Sequence, residues 1–290
     1  MKKLLALLLV GLLSIALVAC GTAGEESSEE ENTSGEQKEG EQEAEANEEI
    51  VVGATSVPHA EVLEEAKPLL KEEGIDLKIE TYQDYILPNE DLSNGTLDAN
   101  YFQHIPYLKD QKSEFGYDFV NLGGIHIEPM GIYSKNISSV EDIEEGTEVI
   151  LSRSVADHGR VLSLLQENGL IKLSDDVDPV SATLDDIEEN PKNLEFDASI
   201  EAGLLPEFYE REENALVAIN TNYAIEAGLV PENDALILEG SESPYVNVIA
   251  ARSEDEDNKA LHTLVEVLRS EEIQTFIKEQ YEGAVVPVSE

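Results

Sequence analysis

The chain has a single cysteine, two methionines, five histidines and no tryptophan, and aromatic residues make up 6% of its 290 positions. One cysteine excludes an internal disulfide and any cysteine-rich zinc cluster. The histidines, at 59, 104, 126, 158 and 262, show no helix-spaced metal-ligand pair. Basic residues are scarce, 18 Lys and Arg against 63 Asp and Glu, for a formal net charge of -45. A surface this negative repels nucleic acid and acidic polymers. Phosphate loops, zinc-type His-Glu pairs and a nucleophile-elbow serine are all missing. Carboxylates are so abundant that any pair could be matched to acid–base catalysis by chance. Beyond the first twenty residues no segment is apolar enough to span a bilayer.

The N-terminus is where the apolar residues run together. Met1-Lys-Lys3 is basic, Leu4 to Val18 is almost unbroken apolar sequence, and Leu17-Val-Ala-Cys20-Gly21 closes it with small residues. This order predicts a secretory signal over 1–19. A cysteine directly after Leu-Val-Ala resembles the bacterial lipobox, which would make Cys20 the lipidated first residue of the mature protein. An odd cysteine in a secreted chain needs an explanation, and lipidation supplies one. Residues 20–49 then form an acidic, low-complexity linker that cannot bury enough apolar surface to order itself. The expected location is the extracytoplasmic face of the cell membrane, held by lipid. The body from residue 50 onward still carries 51 acids against 15 bases, read here as adaptation to a saline exterior.

Apolar strands alternate with amphipathic segments along the body. Ile50–Thr55, Leu77–Tyr82, Thr147–Leu151, Ala215–Ile219, Ala235–Leu238 and Tyr245–Ala251 read as strands, and Phe119 to Tyr133 as a longer one bent at glycines. Ala60 to Glu73 has helical periodicity and Gly74 is its cap. Leu184 to Asn190 reads as a short helix stopped before Pro191, and Ile200 to Phe208 as another. Asn258 to Gln280 reads as a closing helix pair. The β-α-β order predicts an α/β fold with parallel or mixed sheets, in two consecutive blocks: 50–133 completed by 244–290, and 134–243. In such sheets ligands sit at the carboxyl ends of strands.

One stretch stands out in a chain so poor in aromatics. Asp98-Ala-Asn-Tyr-Phe-Gln-His-Ile-Pro-Tyr-Leu108 packs three aromatics and a histidine into eleven positions. Taken alone it is equally a buried strand end and one wall of a small-molecule pocket. Arg160 follows the loop 152–158 close to a predicted helix N-terminus. There it could grip a carboxylate or simply pair with one of many surface acids. Together, Tyr85, Phe102, His104 and Tyr107 on one side and Arg160, Asn220 and Asn247 on the other form a ligand set. An amino acid needs this mixture of cation, amides and aromatic faces, and a thioether packs well among rings.

Several segments carry a more specific resemblance. Val52-Gly-Ala-Thr-Ser-Val-Pro-His-Ala-Glu61, Asp84-Tyr-Ile-Leu-Pro-Asn89, Leu97 to Leu108 with its Phe-Gln-His-Ile-Pro-Tyr-Leu core, His126-Ile-Glu-Pro-Met-Gly-Ile-Tyr-Ser134, Asp186 to Asn193, Asn222-Tyr-Ala224 and Tyr245-Val-Asn247 resemble, in order, the NlpA lipoprotein family. These are the substrate-binding lipoproteins of methionine ABC importers. The resemblance implies a two-lobed periplasmic-binding-protein fold of the type II kind, closing over methionine in a cleft between the lobes. It implies a monomer that delivers ligand to a permease and its ATPase, with no cofactor, no metal and no enzymatic activity. The family's ligand contacts would fall on Tyr85, Phe102, His104, Tyr107, Arg160, Asn220 and Asn247.

One departure bears on specificity. Before the Gly-Arg pair the family usually carries Pro-Asn-Asp-Pro-Thr/Ser-Asn, whereas this chain reads Ser152-Arg-Ser-Val-Ala-Asp157 and then His158. Another amino acid or a short peptide is therefore a second ligand class. A surface or adhesion lipoprotein without transport, and a hydrolase built on His104 and an aspartate, are the competing functions. No nucleophile or metal constellation accompanies the histidine.

Overall fold

The computed structural model describes residues 48–288, so the expected signal, Cys20 and nearly all of the linker lie outside the described residues. From Glu48 the chain runs β1 (Glu48–Thr55), α1 (Glu61–Glu72), β2 (Ile75–Tyr82), α2 (Leu87–Ser93), β3 (Ala99–His104), α3 (Ile105–Phe115) and β4 (Phe119–Ile127). It continues through β5 (Gly131–Tyr133), β6 (Glu148–Ser152), α4 (Val155–Glu167), β7 (Lys172–Leu173), β8 (Ile187–Glu189), β9 (Glu195–Ile200), α5 (Leu205–Arg211), β10 (Leu216–Ile219), α6 (Thr221–Glu226), α7 (Pro231–Asp234) and β11 (Ile237–Leu238). It ends with β12 (Val246–Arg252), α8 (Lys259–Leu268), α9 (Glu271–Tyr281) and β13 (Val286–Pro287).

Two mixed sheets result, as the α/β pattern predicts. The first has the order β13-β4-β12-β3-β1-β2, and the second β11-β5-β10-β6-β9. In the first, β1 runs parallel to β2 and β3, and the returning β12 enters antiparallel between β3 and β4. In the second, β10, β6 and β9 are parallel, and β5 pairs antiparallel with β10 and β11. Parallel strands need crossover connections, and the helices supply them. Helix α1 buries Val62, Leu63, Ala66 and Leu70 on one face, which packs with α8 and α9 over the first sheet. Helix α4 does the same for the second sheet with Val161, Leu162, Leu164 and Leu165. The chain crosses between the sheets at Glu128–Met130 and again at 239–245.

The structure corrects four local expectations. The strand from Phe119 to Tyr133 is broken at Glu128-Pro129-Met130, so β5 belongs to the second sheet, three residues ahead of the anticipated division. Proline gives no ladder donor, and the break is where the chain changes sheets. The segment 184–190 is one 3-10 turn followed by β8, because Thr183 and Asp186 form a reciprocal cap and Ile187 pairs with Leu173. Residues 200–208 begin as the end of β9 and turn helical only at Ala202. The loop 152–158 shortens to Arg153-Ser154, and Val155 to His158 form the first turn of α4. That turn contains no proline or glycine to oppose the helix. Arg160 consequently stands in the second turn, away from the free amides that the predicted helix start offered it.

Candidate functional site

Several strands end around one space between the two sheets. β3 delivers Phe102, Gln103 and His104, α3 adds Tyr107, the loop before α2 adds Tyr85, and the crossing strand segments bring Glu128 and Asn247. From the second sheet, α4 presents Asp157 and Arg160, and the β10–α6 junction presents Asn220, Thr221 and Asn222. The space they surround is narrow, with about 390 Å³ free of atoms when the open solvent at its mouth is included. All seven residues of the predicted ligand set line it. Every contributing junction lies at a strand's carboxyl end or at a sheet crossing, as open α/β sheets require.

The sequence around His104 explains how the aromatic wall is built. Ile105-Pro106 starts α3 without needing a donor from the proline. His104 caps that helix, its Nδ1 accepting the Tyr107 N–H at 3.1 Å. The imidazole is thereby turned so that Nε2 donates to Asp157 Oδ1 at 3.2 Å, across the space between the sheets. Alternation along β3 sends Tyr101 into the core of the first sheet and Phe102 toward the pocket. The rings of Tyr85, Phe102 and Tyr107 stand about 6 Å apart in tilted and edge contacts, and Tyr223 closes on Tyr85 at 5.1 Å from the other sheet. Tyr107 donates to the Tyr85 carbonyl at 2.9 Å, and Tyr85 donates to Asn222 Oδ1 at 2.6 Å. Burial, with nearby tyrosines and carboxylates, holds the Tyr85 phenol well above its ordinary range, so it stays a donor.

The polar wall is directional. Arg160 is buried, and its Nε donates to Glu239 Oε2 at 2.7 Å while Nη2 reaches the same carboxylate and the Glu128 carbonyl. The guanidinium lies over the Tyr245 ring, 4.7 Å from its centre. Arg160 is therefore neither a surface arginine nor wholly free. It is clamped to both sheet crossings, and Nη1 makes no bond to any described residue. Asn220 Nδ2 leans on Asp157 Oδ2 at 3.4 Å, which leaves Asn220 Oδ1 as a buried acceptor without a partner. Asn222 has the opposite polarity, with Oδ1 satisfied by Tyr85 and Nδ2 unpartnered. Burial pushes the Asp157 carboxyl up, but the hydrogen bond from His104 and the Arg160 charge outweigh it and hold it below its usual range. Glu128 is likewise held low, its burial offset by His59, His126 and Arg160.

Sequence reasoning missed Glu128, Glu239 and the facing role of Asn222, and it treated Asp157 only as a loop change. Nothing in a chain with 63 acids distinguishes a buried carboxylate from a solvated one. Asn222 had a signal, since Asn220-Thr-Asn-Tyr223 sets polar groups directly after an apolar strand.

The chain matches the family model described as NlpA lipoprotein over residues 50–289. The methionine-binding lipoprotein MetQ of Bacillus subtilis (strain 168) is 48% identical over 244 residues, which span 83% of this chain and 89% of the relative. A solved pheromone precursor lipoprotein of Enterococcus faecalis V583 superposes with a TM-score of 0.81 at 48% identity, over 83% of this chain and all of the other. A nutrient-binding protein of Burkholderia cenocepacia, solved bound to methionine, superposes with a TM-score of 0.78 at 39% identity, over 82% of this chain and 99% of the other. With two mixed sheets, two crossings and a pocket between them, and a family match covering nearly all of the described residues, the chain belongs to the NlpA lipoprotein family.

Proposed function

We propose that this protein is the extracytoplasmic substrate-binding lipoprotein of an ABC importer and that it holds methionine between its two lobes. The carrying observation is the paired polarity of the pocket amides. Asn220 offers an orphaned acceptor beside the ionised Asp157, which suits an ammonium group. Asn222 Nδ2, Asn247 and Arg160 Nη1 offer donors, which suit a carboxylate. The box of Tyr85, Phe102 and Tyr107, with His104 at its edge, suits a thioether side chain. The methionine-binding relative and the methionine-bound neighbour support the same ligand. The pocket's small volume favours a single amino acid over a peptide.

In this reading residues 50–133 with 244–290 move as one lobe and 134–243 as the other. The crossings at 128–130 and 239–245 serve as hinges. Cys20 carries the lipid that keeps the protein at the outer face of the cell membrane, and no helix among the described residues is long and apolar enough to cross one. The protein works as a monomer, catalyses no reaction and hands its ligand to a permease coupled to an ATPase. The groove at the pocket mouth supports such a partner. Ile86 and Phe115 from one lobe and Val155 and Leu204 from the other are exposed along it, and exposed apolar residues grouped in this way mark contact surfaces. The direct test is native mass spectrometry of the purified protein followed by calorimetric titration with L- and D-methionine. One equivalent of either isomer is expected, and saturable binding of neither would remove the proposal.

A further inference from the structure

Behind the pocket lies a buried group that the reading above does not use. His59, His126 and Glu128 are almost completely shielded from solvent, and three of their ligand atoms lie within 4.8 Å of one another. Glu128 Oε1 stands 2.8 Å from His126 Nε2 and 3.1 Å from His59 Nε2. These are hydrogen-bond distances, shorter than the separation of two ligands around a zinc ion with bonds of about 2.0–2.1 Å. The far nitrogens are also occupied, His59 Nδ1 by Thr55 Oγ1 at 2.7 Å and His126 Nδ1 by the Tyr101 hydroxyl.

The proton positions follow from chemistry. An ionised carboxylate only accepts, so each Nε2 facing Glu128 carries the hydrogen and each Nδ1 accepts from a hydroxyl. His59 Nε2 also lies 3.2 Å from the Asn247 side-chain oxygen. A donor at Nε2 tolerates only the oxygen end of that amide, so the Asn247 NH2 must point the other way, into the pocket. Glu128 Oε2 meanwhile accepts the Asn222 backbone N–H at 3.1 Å, from the opposite sheet.

We propose that His59 is a positioning residue for ligand specificity: by donating from Nε2 it locks Asn247 with its amide hydrogens toward the ligand, and so makes the site select a carboxylate over a carboxamide. The inference rests on the reading of the pocket as an amino-acid site. His126 and Tyr101 support it from behind by keeping Glu128 an acceptor, and Thr55 fixes the tautomer.

The test compares methionine with methioninamide in calorimetric titrations of wild type, His59→Leu and His59→Gln. Wild type is expected to prefer the carboxylate by about 10–100-fold, the range for a hydrogen bond to a charged group. In His59→Leu the freed amide can turn its oxygen to the pocket, and the preference should fall about tenfold, the remainder being held by Arg160 and Asn222. His59→Gln, which keeps a donor, should restore most of it. If the leucine variant does not fold, Thr55→Val gives a smaller shift in the same direction. Long-range 15N–1H spectra of the imidazoles need no ligand and should show His59 as the Nε2–H tautomer. A folded His59→Leu protein with an unchanged preference, or a protonated Nδ1 on His59, would overturn the inference. So would one equivalent of Zn2+ taken up by wild type and lost in the leucine variant. Failure of wild type to bind either compound would instead remove the amino-acid reading and leave the tautomer measurement to decide the positioning.

Discussion

Arg160 shows how much a single side chain does here. Its two engaged nitrogens hold Glu239 and the Glu128 carbonyl, one on each crossing, so it ties the two crossings together while lining the pocket. Arg160→Ala should weaken methionine binding at least about 100-fold by calorimetry. It should also lower the melting temperature, because the half-buried Glu239 carboxylate is left with only the Met130 N–H and the Ser243 hydroxyl as partners, a loss of about 1–3 kcal/mol. Asp157→Asn is milder: the shape stays and one negative charge goes. Affinity for methionine should fall by about tenfold, while that for N-acetylmethionine, which has no ammonium, should hardly change. His59 carries a pH signature. Burial lowers its pKa from 6.5 to about 4, against the pull of Glu128. The unfolded chain then binds the extra proton first, so stability is full above about pH 6.5 and declines as the pH falls toward 4. The loss is on the order of 3 kcal/mol. Asp157 and Glu128, both depressed, add a second loss in the same direction at lower pH. Urea midpoints that stay constant from pH 7 to 4.5 would contradict the assignment for His59.

Helix α4 sets where Asp157 and Arg160 point into the pocket, and it packs against the 3-10 turn Pro179–Ser181 at very close range. A Cβ on Gly159 would lie 2.3 Å from the Pro179 carbonyl oxygen and 2.7 Å from that of Val180. Both are backbone atoms, so neither can swing aside. Gly159→Ala should destabilise the protein by about 1–3 kcal/mol and tilt the turn that carries Asp157 and Arg160. Methionine affinity and melting temperature should therefore fall together. The same mutation at an ordinary exposed helix glycine would stabilise the fold.

For the whole molecule, the dominant fact is charge. With 51 acids against 15 bases beyond residue 49, self-repulsion opposes compaction, and added salt screens it. The melting temperature should rise as sodium chloride goes from 10 mM to 1 M, and a flat or falling curve would argue against adaptation to a saline exterior. Ligand adds a separate increment. Methionine at about a hundred times its dissociation constant should stabilise the protein by about 2.7 kcal/mol. Changing Ile86 and Val155 to aspartate should leave that increment intact and abolish uptake in reconstituted vesicles, since both lie on the groove outside the pocket.

Much of this was legible before any coordinates. Strand and helix positions follow from apolar periodicity, a local property, and β1, α1, β6, β10 and β12 fall where the alternation puts them. The seven ligand-set residues converge on one pocket because strand ends gather at one side of an α/β sheet, which the order of elements already implies. The linear chain could not decide partnership. Whether Arg160 meets solvent, ligand or Glu239 depends on a residue 79 positions away. Whether Glu128 is one surface acid among many or a buried carboxylate between two histidines depends on His59, brought to it by the pairing of β1, β3, β12 and β4. Burial and long-range contact decide charge state, amide orientation and the partners of each buried carboxylate, and those belong to the tertiary structure alone.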